Sequence, residues 1–199
     1  MSRISYLIIL WFLGLLSSFS FGQTIREERF LIVLDVQEYY TNRKMSEKEA
    51  QNFIDSINFV INKMRSPNVL YVKSIHKVLN LSFSSPFVYV THDTSSMRFD
   101  KRLHIINDNI FSKYDPNTFN LFEINDFLKK NNAKDIIIVG LLAEQCVYKS
   151  LIGGKKLGYE MFVIKEAILG KSEKSKEKAI EKMKKEGVKI IEMNALSYE

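Results

Sequence analysis

Phe30-Leu31-Ile32-Val33-Leu34 is an uninterrupted apolar run. A strand with one face in water alternates apolar and polar residues, so a run without alternation belongs to a strand covered on both faces, the usual setting of a central parallel strand between helices. Asp135-Ile136-Ile137-Ile138-Val139 repeats the signature near the other end of the chain. Between them, Ser46 and Glu49 form a capping-box pair, and Ala50, Phe53, Ile54, Ile57, Val60, Ile61 and Met64 follow at helical spacing. Pro67 ends that helix; further strands are expected at 69–72 and 104–106, then a helix with Leu121, Ile124, Phe127 and Leu128 inward. After the strand at 135–139 come a helix carrying Cys146, a strand at 161–164, a Lys/Glu-rich helix at 172–186 stopped by Gly187, and a last strand at 188–191. Strands alternating with helices in this way specify an α/β fold, a doubly wound and mainly parallel sheet with helices on both faces. The stretch 75–102 fits least well, and 83–90 within it reads as an extra edge strand or a lid.

Residues 1–22 carry Arg3, an apolar run from Ile4 to Leu16, and Ser17-Ser18-Phe19-Ser20-Phe21-Gly22, with small residues before a cut after Gly22. This reads as a secretory signal peptide. A retained membrane anchor is the alternative, because the stretch from Ile4 to Phe21 approaches the length that spans a bilayer. Residues 23–199 are then a single domain, exported to the periplasm or the medium, without a membrane segment of its own. The formal charge of +6 loses only Arg3 with the leader. Much of the excess lies at 171–185, where lysines alternate with Glu173, Glu177 and Glu181 along a solvated helix. No basic face with interleaved aromatics accompanies it, so nucleic acid is not an expected partner.

Cys146 is the only cysteine. Outside the cytoplasm paired cysteines become bridges, and a single one remains a free thiol. It stands six residues after Gly140, where the strand turns into a helix. In a first helical turn the unpaired N–H groups and the dipole lower a thiol's pKa, so a nucleophilic thiolate is expected. A small buried hydrophobe is the bland alternative. Asp35 likewise follows the end of an apolar strand, and in doubly wound sheets ligands bind at the carboxyl ends of the strands, so the two can converge.

Three segments resemble a known family. Leu31-Ile32-Val33-Leu34-Asp35-Val36-Gln37 is similar to the first strand and Asp-x-Gln of the isochorismatase-like cysteine hydrolases, a Rossmann-like three-layer fold. Gly140-Leu141-Leu142-Ala143-Glu144-Gln145-Cys146-Val147 resembles their nucleophile loop. Lys113-Tyr114-Asp115-Pro116-Asn117-Thr118-Phe119 resembles their Lys-x-x-x-Ser-Ala-Phe, at the family's distance from Gly140. The resemblance implies a catalytic triad of Asp35, Lys113 and Cys146. It also implies a cis peptide at Leu141-Leu142, with the N–H groups of Leu142 and Cys146 as an oxyanion hole. Gln37, His76, Phe119 and Tyr148 are candidate walls of a small-molecule pocket. The activity implied is cleavage of a small amide, ureide or carbamoyl compound through a thioester on Cys146.

Departures from the family bear on the substrate. Nicotinamidases of this family hold a metal with an Asp-x-His pair after the second strand; here that stretch is Ser74-Ile75-His76, and His92-Asp93-Thr94-Ser95 supplies no better register. Neither gives the three protein ligands an open zinc site needs, so no metal cofactor is expected. Ala143 stands where relatives commonly carry threonine, and Asn117-Thr118 replaces Ser-Ala. Two other readings stay open: a catalytically silent small-molecule-binding member of the fold, and a peroxide-reactive thiol protein, which would lack a resolving cysteine. Homo-oligomerisation is expected from relatives.

Overall fold

The computed structural model describes residues 29–42, 45–75, 77–81, 88–92 and 98–196. The expected leader and its cleavage point lie outside these residues, as does His76. No helix among the described residues is long and apolar enough to cross a membrane. In chain order the elements are β1 (Arg29–Leu34), a single turn α1 (Glu38–Thr41), α2 (Glu47–Ile61), β2 (Val69–Ser74), β3 (Lys77–Leu81), β4 (Val88–His92) and β5 (Ile110–Lys113). There follow α3 (Phe122–Lys130), β6 (Asp135–Leu141), α4 (Tyr148–Lys156), β7 (Glu160–Leu169), α5 (Glu173–Lys185) and β8 (Lys189–Ile191).

Six strands form one sheet in the order β5-β2-β1-β6-β7-β8, with every neighbouring pair parallel. The two apolar runs are its adjacent central strands, in register from Arg29 opposite Asp135 to Leu34 opposite Gly140. Their side chains alternate between two cores. Phe30, Ile32 and Leu34 join Ile124, Leu128, Leu151, Ala179, Ile180 and Met183 from α3, α4 and α5. Leu31 and Val33 join Phe53, Ile54, Ile57, Val60 and Ile61 from α2. Each such fully buried aliphatic side chain stabilises the fold by roughly 1.5–3 kcal/mol, which fixes register, since a one-residue slip would exchange the two faces. The capping box forms as expected: Ser46 Oγ accepts from Glu49 N–H, and Glu49 Oε2 accepts from Ser46 N–H.

The third strand is not at 104–106. It is β5, pairing with β2 from Tyr71 opposite Ile110 to Ser74 opposite Lys113. Ile105 and Ile106 are exposed, and their segment is held by side chains instead of a ladder. Tyr71 Oη donates to His104 O and accepts from Ile106 N–H, while Asn58 Oδ1 accepts from His104 N–H. Of the stretch 83–90, residues 83–87 lie outside the described residues; the rest begins β4, which pairs antiparallel with β3 in a separate two-stranded sheet. Its two feet stand together. The chain departs at Ser74, whose N–H and C=O are gripped by the Gln37 amide, and returns where Phe99 bridges Gln37, Arg98 O accepts from Glu38 N–H and Val36 O accepts from Asp100 N–H.

Candidate active site

All six strands run the same way, so the carboxyl ends of β1, β2, β5 and β6 share one rim. Strand order reverses between β1 and β6, the switch point where α/β sheets open a crevice. Asp35 is the first residue after β1, Ser74 the last of β2 and Lys113 the last of β5. Cys146 lies in a π-helical turn, Ala143–Val147, that links β6 to α4. The turn closes with Leu142 O accepting from the N–H groups of both Gln145 and Val147.

Two local features aim these groups. Asp35 adopts φ 59°, a left-handed conformation that Asp tolerates better than most residues, and its N–H donates to Val72 O at 2.8 Å. Gly140 adopts φ 121°, and a Cβ there would meet Leu34 O at 1.9 Å. Only glycine lets the end of β6 lie this close to the end of β1. The peptide bond Leu141-Leu142 is cis, as the resemblance implied.

Asp35 and Lys113 form an ion pair, Nζ to Oδ2 3.0 Å, with each side chain 2 % exposed. Ser74 closes a ring with them: Lys113 Nζ donates to Ser74 Oγ at 2.8 Å, and Ser74 Oγ donates to Asp35 Oδ1 at 2.9 Å. The half-buried Cys146 thiol lies close enough to both Asp35 and Lys113 for their charges to act on it. Three residues far apart in sequence thus meet at one place, together with a fourth that the motifs did not flag. Burial first, and then the negative charge of Asp35, push the thiol up to about 11; Lys113 pulls the other way and does not prevail. The expectation of a preformed thiolate is therefore corrected. A dipole argument from the first helical turn omitted both desolvation and the neighbouring carboxylate.

The pocket candidates are dispersed. The Gln37 amide is buried against the Ser74 backbone, Oε1 accepting from Ser74 N–H at 2.8 Å and Nε2 donating to Ser74 O at 3.0 Å. Phe119 packs in the core against Tyr159 and over Gly154. Tyr148 is half-buried under the Lys182 ammonium. A cavity beside the cis peptide, about 570 Å³, is lined by Tyr40, Met45, Glu49, Leu141, Leu142, Leu169 and residues 170–173. Tyr40 adjoins the triad: burial and then the charge of Asp35, with a smaller effect of Cys146, raise its phenol well above the usual value, so it stays protonated. Its position five residues after Asp35, on the turn following β1, is the signal that could have found it. Thr118 and Asn117 hold the segment after β5 in place, Thr118 N–H donating to Ser150 Oγ on α4 and Asn117 Oδ1 accepting from Phe119 N–H.

Among the described residues no group of three or more His, Cys, Asp or Glu side chains could hold a metal ion. At the position of the family's metal-binding carboxylate stands Ser74, whose hydroxyl is engaged by Asp35 and Lys113.

A six-stranded parallel sheet between layers of helices, with a crevice at its switch point, defines the class: a doubly wound, three-layer α/β fold. The chain belongs to the isochorismatase family, whose Isochorismatase domain model matches residues 29–195. The zinc-bound pyrazinamidase of Pyrococcus horikoshii superposes with a TM-score of 0.66 at 24 % identity, over 83 % of this chain and 99 % of that one. The octameric YcaC gene product of Escherichia coli, a hydrolase of unknown specificity, superposes at 0.66 with 14 % identity, over 85 % and 78 %. Among characterised sequences, the secreted isochorismatase effector Isc1 of Verticillium dahliae is 21 % identical over 142 residues, 71 % of this chain and 73 % of its own.

Proposed function

We propose that this chain is an exported cysteine hydrolase that cleaves a small amide, ureide or carbamoyl compound through a thioester on Cys146, without a metal. The observation that carries this reading is the buried Asp35–Lys113 pair, 3.0 Å apart, set against the Cys146 thiol. The N-terminal pattern and the secreted relative support export.

In the resting site Asp35 is the anion and the thiol keeps its proton. As the sulfur attacks the substrate carbonyl carbon, the proton passes to Asp35, the C–S bond forms and the carbonyl oxygen becomes the oxyanion, facing the N–H groups of Leu142 and Cys146. The transfer moves negative charge from carboxylate to sulfur while Lys113 stays beside both, so the net charge of the buried site is constant throughout. That constancy is what allows a thiol with a raised pKa to act as a nucleophile. Collapse of the tetrahedral adduct breaks the C–N bond, and protonated Asp35 gives its proton to the departing nitrogen. Water then attacks the thioester as Asp35 takes a proton from it; the C–S bond breaks, Asp35 returns the proton to the departing sulfur, and the acid leaves. Isochorismate itself is a poor candidate, because cleaving a vinyl ether has no use for a thiol nucleophile.

The test screens nicotinamide, pyrazinamide, ureides and carbamoyl amino acids for ammonia release, with intact-mass detection of an acyl adduct on Cys146. Ammonia release that persists at full rate in Cys146→Ala would refute the mechanism.

A further inference from the structure

We infer that Ser74 is a positioning residue of the site, its hydroxyl fixing the carboxylate of Asp35 and the ammonium of Lys113 relative to each other. This rests on the hydrolase reading above and deepens it. A serine hydroxyl has one proton to give and lone pairs to accept with. Here it uses both roles, accepting from Lys113 Nζ at 2.8 Å and donating to Asp35 Oδ1 at 2.9 Å. With the direct Lys113–Asp35 contact at 3.0 Å, the three groups form a closed ring. The ring orients the carboxylate plane and commits two of the three ammonium protons, leaving the third for the sulfur.

The backbone is built to hold Ser74 there. It pairs with Lys113 across the β2–β5 ladder, and the buried Gln37 amide grips its N–H and C=O at once. The position therefore cannot drift without breaking a two-point clasp. In the metal-binding members of the family a carboxylate at this place faces a metal; in this chain the hydroxyl is turned onto the triad. Among the described residues, the titratable groups facing the ring are Cys146 from the π turn and Tyr40 from α1.

The experiment follows the rate of Cys146 alkylation by iodoacetamide against pH, read by intact mass, in the full chain. In the wild-type protein, base assistance by Asp35 gives a reactive plateau in the neutral range, below the thiol's own titration. Ser74→Ala removes a donor from the carboxylate, so the lower edge of that plateau moves up by about one pH unit, a tenfold loss of rate on that limb. Ser74→Thr, which keeps the hydroxyl, restores the wild-type edge. If Ser74→Ala does not fold, Ser74→Gly removes the same hydroxyl and is read in its place. An edge unmoved in the hydroxyl-free variant, or moved equally in Ser74→Thr, overturns the role of Ser74. The hydrolase reading fails separately: it falls if Asp35→Asn hydrolyses the amides of the screen at the wild-type rate, whatever Ser74 does.

Discussion

Asp100 and Asp35 are both buried and both paired with a cation, and they are built for different ends. Asp100 is saturated. Its Oδ1 accepts from Arg102 N–H and Nε, and its Oδ2 accepts from Arg102 Nη2 and Thr41 Oγ1, so all four lone-pair directions are filled, mostly by a residue two places along the chain. Asp35 accepts from Lys113 and Ser74, which come from other strands, and beside it lies a thiol that can give up its proton. A carboxylate with no free acceptor direction locks a loop. One with a reserved direction can act as a base.

Substitutions at the two sites sharpen that contrast. The largest effect is expected at Asp35→Asn, where turnover falls by about 10²–10⁴-fold in the amide screen while the melting transition is retained. In the same variant the thiol titrates below about 11, since the charge that raised it is gone; a midpoint that stays in place would show that the carboxylate does not govern the sulfur. Lys113→Met acts in the opposite direction, raising the thiol further and slowing turnover by roughly 100-fold, as seen in the same titration and assay. Asp100→Asn should leave turnover intact and cost about 2 kcal/mol of stability in urea unfolding.

The pH dependence of the Asp100 contribution has a definite sign. Burial opposes ionisation there, but the hydrogen bonds from Arg102 and Thr41 and the Arg102 charge prevail and hold the carboxyl at about 2, below the usual 3.8. A depressed folded value stabilises the protein above the unfolded pKa, so the contribution of ~2 kcal/mol is complete above about pH 4 and is lost as pH falls toward 2. Unfolding midpoints of wild type and Asp100→Asn should converge over that window. The smallest effect is Thr41→Val, about 1.5 kcal/mol from one lost hydrogen bond to a charged group.

Much of this could be read from the chain alone, for identifiable reasons. Asp35, Lys113 and Cys146 follow strand ends in segments with distinctive neighbours, and parallel pairing brings strand ends together. β5 was misplaced because it is a four-residue edge strand with exposed Ile110, while Ile105-Ile106 offers a more apolar pair that lies in a loop. What holds that loop is the Tyr71 hydroxyl, a long-range partner without a local pattern. Ser74 was noticed only as a missing metal ligand, since a hydroxyl's second role depends on where two distant charges fall. The thiol's raised pKa was missed for the same reason: burial and an adjacent anion belong to the assembled site.

The clasp between Gln37 and Ser74 has a consequence for how such proteins diversify. The chain leaves the sheet at Ser74 and rejoins it at Arg98–Asp100, and Gln37 holds both points while steadying the reactive residues, so the excursion between them is a detachable cassette. Exchanging it for another of different length or composition should leave the chemistry standing wherever both moorings are kept, and cutting either mooring should disable an otherwise untouched centre.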